Sequence, residues 1–302
     1  MKSTNNDIAQ IVQPIFVLWK FTGLPIYKLT SHSNGKETRF VKTDSKTVYP
    51  AVLLLSCLYF LCSTNTISEI TDSAIVDEFM NFVELTTFFV QNIVILVVCH
   101  IKRKQILRVF EQLQFSENCV QKLKKHKSCY IVGVKRTVLK LATMKYSFIV
   151  ILYVVYSINV PDDRINLIAY FCSWCFHYHF EMLIVTYLLI LKNQYREINQ
   201  FLVYQKFELD YLNVKEVISL HQVLRNTCKL IKDTFQGLIL VKVIADSIIT
   251  STAVFYVLRV YLLLPENFLL SSVSNVVFAI LIAVSNFTVA FVFHDLVEQV
   301  DI

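Results

Sequence analysis

The sequence predicts an all-α fold, a multispan transmembrane helical bundle with six spans and a cytosolic N-terminus, on three observations. Of the 302 residues, 55% are hydrophobic and only 17% charged, with a mean hydropathy of +0.52, whereas soluble domains carry roughly 25% charged residues. Only four Gly and five Pro occur, and no segment alternates over ten residues as a barrel strand does, so continuous helices are favoured. Six apolar runs then recur, each close to the roughly 20 residues that cross a hydrocarbon core of about 30 Å.

The N-terminal residues 1–47 read as a cytosolic and interfacial segment. Met1 to Asp7 is polar, so no signal peptide is expected. The apolar run IVQPIFVLWKFTGLPIYKL is broken by Pro14, Lys20, Gly23 and Pro25. Such a run lies at the membrane surface, with Trp19 and Tyr27 at headgroup level and Lys20 and Lys28 in water. The spans follow at about 48–67, 79–100, 139–160, 165–191, 235–264 and 268–294, making a bundle over 48–294. Cytosolic helical segments are expected at 101–138 and 192–234, and a short cytosolic tail at 295–302.

Charge orients these spans. Seven basic residues precede the first span, eleven lie from Ile101 to Lys140 and seven from Lys192 to Thr234, together 25 of the 29 Lys and Arg. The alternate connections SEITDSAIVDE, PDDR and PEN hold only Arg164. Positive residues stay in the cytosol, so both termini are placed there. The net charge of +6 therefore serves the lipid bilayer as partner, and no nucleic acid is expected. All eight Cys avoid the outward loops, so no structural disulfide is expected. The sequon Asn286-Phe287-Thr288 lies within the sixth span, out of reach of glycosylation.

The run 213–264 joins water to lipid in one stretch. Val217, Leu220, Leu224, Ile231 and Phe235 recur at helical spacing, with Lys215, Glu216, Arg225, Lys229, Lys232 and Asp233 between them, the pattern of a cytosolic helix packed on a partner. It continues without a break into GLILVKVIADSIITSTAVFYVLRVYLLL.

Four pieces in order, PIFVLWKFTGLPIYKL, LLILKNQYREINQFL, HQVLRNTCKLIKDTFQGLIL and FHDLVEQV, together with the inside N-terminus and the long third cytosolic segment, resemble the insect gustatory receptor family. That family belongs to the inverted-topology, seven-span chemoreceptors that also include the insect odorant receptors. The resemblance implies a tastant-gated cation channel subunit in the plasma membrane, with a small-molecule tastant as ligand and a homo- or hetero-tetramer as assembly. Its ligand cavity would lie among the second to sixth spans, and the helix from Asn213 to Phe235 would hold subunits together through Leu220, Leu224, Arg225, Lys229 and Ile231. The family's Thr-Tyr, five apolar residues, Gln-Phe signature belongs to a seventh span. Thr186-Tyr187 and Gln194-Tyr195 stand six residues apart in the fourth span and depart from it. The expectation is therefore a chain without the seventh span, non-conducting alone, either from an incomplete gene model or as a true short form.

Cys172-Ser173-Trp174-Cys175-Phe176-His177-Tyr178-His179-Phe180-Glu181 offers zinc-ligand types. On a helix, however, 172, 175 and 179 share a face while His177 and Glu181 point elsewhere, so no metal site is expected. Polar groups at mid-membrane face protein or water. Two readings stand side by side: a ligand-cavity lining made of Trp174, His177, Tyr178, His179 and Glu181 together with Glu84 of the second span, or ordinary interhelical hydrogen bonding. Lys242 and Asp246, at i,i+4, read as a structural pair. Lys145 and Arg259 are expected to reach the headgroups. Gln91, Asn92, Asn275, Ser285 and Asn286 read as interhelical contacts. No phosphate loop, nucleophile elbow or His-Glu-x-x-His is present, so no enzyme and no cofactor is expected. Alternatives are a secondary transporter using the 172–181 cluster, an odorant receptor, and a G-protein-coupled receptor, which the inside N-terminus disfavours.

Overall fold

Apolar runs in lipid must satisfy every backbone N–H and C=O within the segment, which makes them helices. The computed structural model describes residues 8, 11–12, 27–31, 38–42, 72–124, 130–159, 164–204, 211–263 and 268–300. The expected first span, 48–67, and most of the interfacial run lie outside these. Six helices follow one another: α1 Asp72–Ile101, α2 Arg103–Lys124, α3 Tyr130–Asn159, α4 Arg164–Tyr204, α5 Tyr211–Leu263 and α6 Phe268–Val300. Five of them, all but α2, are long and apolar enough to cross a membrane.

The N-terminal region adds something the all-α expectation omitted. Strands β1 Tyr27–Ser31 and β2 Thr38–Lys42 pair antiparallel, Tyr27 opposite Lys42 and Ser31 opposite Thr38. Asn34-Gly35 stands between them, the dipeptide that most strongly marks a hairpin in sequence.

Helix α4 is the axis of the bundle, since each of the other five helices packs against it. Its apolar window is 94% buried, against 22% for α3 and 28% for α6. The outer helices turn their apolar side chains outward instead: Val150 and Val154 of α3, Leu240 and Ile244 of α5, and Phe287 and Phe291 of α6 are exposed. In lipid, an exposed apolar face costs nothing, and a polar face must be turned inward.

Helix α2 lies antiparallel along the first half of α5. Lys102, in the turn between α1 and α2, donates from Nζ to the Asp233 and Thr234 carbonyls at 2.6 and 3.0 Å. At the other end of α2, burial raises the Cys119 thiol above its ordinary value; Lys122 opposes this and the Glu216 carboxylate adds to it. The stripe Val217, Leu220, Leu224, Ile231 and Phe235 is buried, and the six charged residues between its members are exposed. The partner anticipated for this amphipathic stretch is thus within the chain, in α2 and α4.

A second set of bonds ties α4 to its neighbours at its C-terminal end. Gln194 Nε2 donates to the Leu113 carbonyl at 2.9 Å, and its Oε1 accepts from Ser116 Oγ at 2.8 Å. Glu117 accepts from Tyr130 Oη and, at 2.9 Å, from Gln121 Nε2. Lys192 pairs with Asp295, and Asn199 Nδ2 donates to the Gln299 carbonyl at 2.9 Å.

Candidate functional site

Four buried charges meet at mid-bundle, one each from α3 and α4 and two from α5. Lys145 of α3 pairs with Glu181 Oε1 of α4. Glu181 Oε2 accepts from Ser285 Oγ of α6 and lies 3.8 Å from Lys242 Nζ of α5. Lys242 pairs with Asp246 one turn on and donates to Asn286 Oδ1 of α6 at 2.8 Å. His177 Nε2 of α4 lies 3.9 Å from Asp246 Oδ1. Two ammonium groups and two carboxylates alternate, so the cluster is neutral as a whole. Taking a charge out of water costs several kcal/mol, roughly, unless a partner and further hydrogen bonds compensate; here every charge has both a counter-charge and a neighbour.

This overturns the expected position of Lys145. Its side chain is 0% exposed and does not reach the headgroups. Besides Glu181, it sits over the Tyr178 ring, 4.2 Å from the centroid, a cation–π contact strengthened by the absence of water. The expected Lys242–Asp246 pair is formed, but as half of a larger cluster.

Around this cluster the residues of α4 point in separate directions, as about 100° of turn per residue requires. Trp174 faces α1 and α6, its ring centroid 5.1 Å from that of Phe88 and 4.7 Å from that of Phe278, both edge to face. Such pairs add about 0.5–1.5 kcal/mol each beyond area burial. His177 faces α5. Tyr178 and His179 face α3, where Tyr146 Oη bonds His179 Nε2 and its ring lies 5.8 Å from that of Tyr178.

Several buried polar atoms here have no hydrogen-bond partner among the described residues: Trp174 Nε1, both ring nitrogens of His177, the Tyr178 hydroxyl, and on α1 Gln91 Nε2 and both amide atoms of Asn92. Gln91 and Asn92 follow Phe88 by three and four residues and so share its face. A cavity of about 680 Å³ opens separately between α3 and α4, lined by Tyr146, His179 and Met182 and also by Lys135 and Ile11.

A family model described as the 7tm chemosensory receptor matches residues 12–301. The chain belongs to the 7tm chemosensory receptor family. Its gustatory receptors are a non-enzymatic receptor family, and a chemical ligand and a membrane are implied for the chain. No curated protein matches the chain.

In this receptor the six residues marked as a ligand lining do not form one surface. Glu181 is at the centre of the charge cluster, His177 at its edge, Tyr178 and His179 toward α3, and Trp174 in the aromatic contact with α1 and α6. Glu84 is buried on α1, two turns or about 10 Å from Gln91 along the helix. Among the described residues, no three His, Cys, Asp or Glu side chains stand together as metal ligands. Of the five residues marked for oligomer contact, Leu220, Leu224 and Ile231 are buried within the receptor's own fold, and Arg225 and Lys229 are exposed. Sequence reasoning missed Tyr146 and the inward course of Lys145. Their signal was a Lys-Tyr pair inside an apolar run.

Proposed function

We propose that the chain is a gustatory-type receptor subunit of the plasma membrane, with a cytosolic N-terminus, in which an external small molecule shifts the closed–open equilibrium of a cation channel built as a homo- or hetero-tetramer. The tastant binds against α4 beside the charge cluster, where Trp174 on the α1 and α6 side, His177 on the α5 side and Tyr178 on the α3 side supply hydrogen-bonding groups among aromatic rings. One observation carries this placement: on α4, buried donors and acceptors stand without partners among the described residues, where an unmet polar group costs about 1–3 kcal/mol. A ligand with hydroxyl or amine groups supplies the missing bonds. The shift it produces equals its differential affinity for the two states.

The test is current recorded from cells expressing the chain, alone and with other family subunits, across a tastant panel. His177→Ala and Tyr178→Phe are each expected to raise the half-maximal concentration about tenfold, the effect of about 1.4 kcal/mol, at unchanged surface level. Unshifted responses in both variants would move the ligand elsewhere, and a tastant response without conductance would remove the channel.

Among the residues marked for subunit contact, Arg225 and Lys229 are the exposed pair on α5. Reversing both to Glu is expected to convert tetramers to smaller species on a native gel. Tetramers of normal size would rule out this face.

A further inference from the structure

The cavity between α3 and α4 has a shape and a charge unlike those of a tastant site. Along α3 its wall is one face of the helix, with Lys135, Val138, Ala142, Tyr146 and Val150 recurring every three or four residues to Ile151. From Lys135 to Ile151 this face runs about 24 Å at 1.5 Å per residue. One leaflet, headgroups included, measures roughly 20–22 Å, half of a bilayer. The opposite wall is Met182 and His179 of α4, with Ile11 of the N-terminal segment closing one side.

Its polarity follows the same axis. Lys135 stands at one end, next to the exposed Arg136 and Lys140. Beyond it the wall is mainly apolar: the half-buried Tyr146 and the buried His179 are bonded to each other, and Ser147 returns its hydroxyl to the Thr143 carbonyl of its own helix. Leu139, Val150 and Ile151 at the rim are exposed, so the mouth opens sideways to lipid. A compact polar tastant would leave most of this length unfilled and its own hydroxyls unmet. An extended chain with a negative head fills it.

We propose that this groove binds one anionic phospholipid, its phosphate at Lys135 and its acyl chain along α3 toward Ile151. The leaflet is the one bordered by the basic α2–α3 segment. This goes beyond the receptor reading, and its test needs no tastant, so the two fail separately.

The experiment is photolabelling of the full chain in phosphatidylcholine nanodiscs doped with phosphatidylserine or phosphatidylcholine carrying a diazirine on the acyl chain. Peptides covering residues 135–151 are expected to be labelled well above the lipid-facing surface of α6 around Phe287. Phosphatidylserine is expected to be preferred about fivefold, the effect of one basic residue near the surface. Ala142→Trp, which fills the groove, is expected to abolish the excess. Lys135→Gln changes an exposed side chain that the fold does not depend on, and it is expected to erase the headgroup preference while leaving acyl labelling in place. Equal labelling of α3 and α6 would mean ordinary surrounding lipid and would overturn the proposal. So would groove labelling that ignores the headgroup, or labelling that survives Ala142→Trp.

Discussion

Replacing Glu181 with Leu is expected to be among the most damaging single changes in the chain. It leaves Lys145 and Lys242 facing one carboxylate, Asp246, at a depth where no water reaches them. Breaking a buried pair from one side costs about 3–5 kcal/mol, a large part of the roughly 5–15 kcal/mol that holds a protein folded. At about 2–4 °C per kcal/mol for a chain of this size, the unfolding midpoint in detergent falls by about 10 °C. The informative companion is Lys145→Met with Glu181→Leu. It removes one charge of each sign, leaves the Lys242–Asp246–Asn286 group neutral, and recovers most of the loss, because paired charges are often replaceable by apolar residues of similar volume. Thermal unfolding of the two variants followed by size-exclusion chromatography decides the matter. Equal damage in both would mean that the individual bonds of Glu181, and not the charge balance, hold these helices.

Trp174→Ala is the second large effect. Helices in lipid associate through packing and interhelical hydrogen bonds, without the drive that water provides, and the Trp174 ring joins α4 to Phe88 on α1 and Phe278 on α6. Its loss leaves a cavity at a three-helix contact and costs about 3–5 kcal/mol. Trp174→Phe keeps an aromatic ring against Phe88 and Phe278 and leaves a smaller void than Ala, while removing the indole N–H. The pair therefore separates the two roles of this residue: Ala lowers the unfolding midpoint the more, and Phe lowers it less but weakens the tastant response. Should Trp174→Ala unfold at the wild-type temperature, the aromatic contact contributes nothing to the association of α1, α4 and α6.

Much of this architecture was legible in the sequence because it depends on composition along a line. The five observed apolar helices fall where long apolar runs stand, and the 213–264 run is a single helix with its stripe buried and its charges exposed, since a 3.6-residue period and the missing Pro are both local facts. What the sequence concealed is which helix lies inside. Helix α4 is the least hydropathic of the five yet the most buried, because a helix surrounded by protein can carry polar groups that one facing lipid cannot. The fate of Lys145 was hidden for the same reason. Near the end of a span, a lysine can reach the headgroups or find a carboxylate on another helix, and only the position of Glu181 decides. Lys242 and Asp246 announced themselves at i,i+4, whereas Asn286 and Glu181, the partners on other helices, did not. The pairing of β1 with β2 has a sequence signal in Asn34-Gly35, which a reading of composition alone does not weigh.

The 53 residues of α5 in one unbroken helix form a rod of about 80 Å. Lys242 ties it to α4 and α6 part-way along, and Lys102 ties its Tyr211 half to the turn between α1 and α2. About 32 Å of the rod lies on the Leu263 side and about 47 Å on the Tyr211 side, at 1.5 Å per residue. A rigid tilt about Lys242 that moves Leu263 by about 1 Å carries Tyr211 about 1.5 Å in the opposite direction, so α2, packed along that half, receives a displacement from the Leu263 end enlarged and reversed.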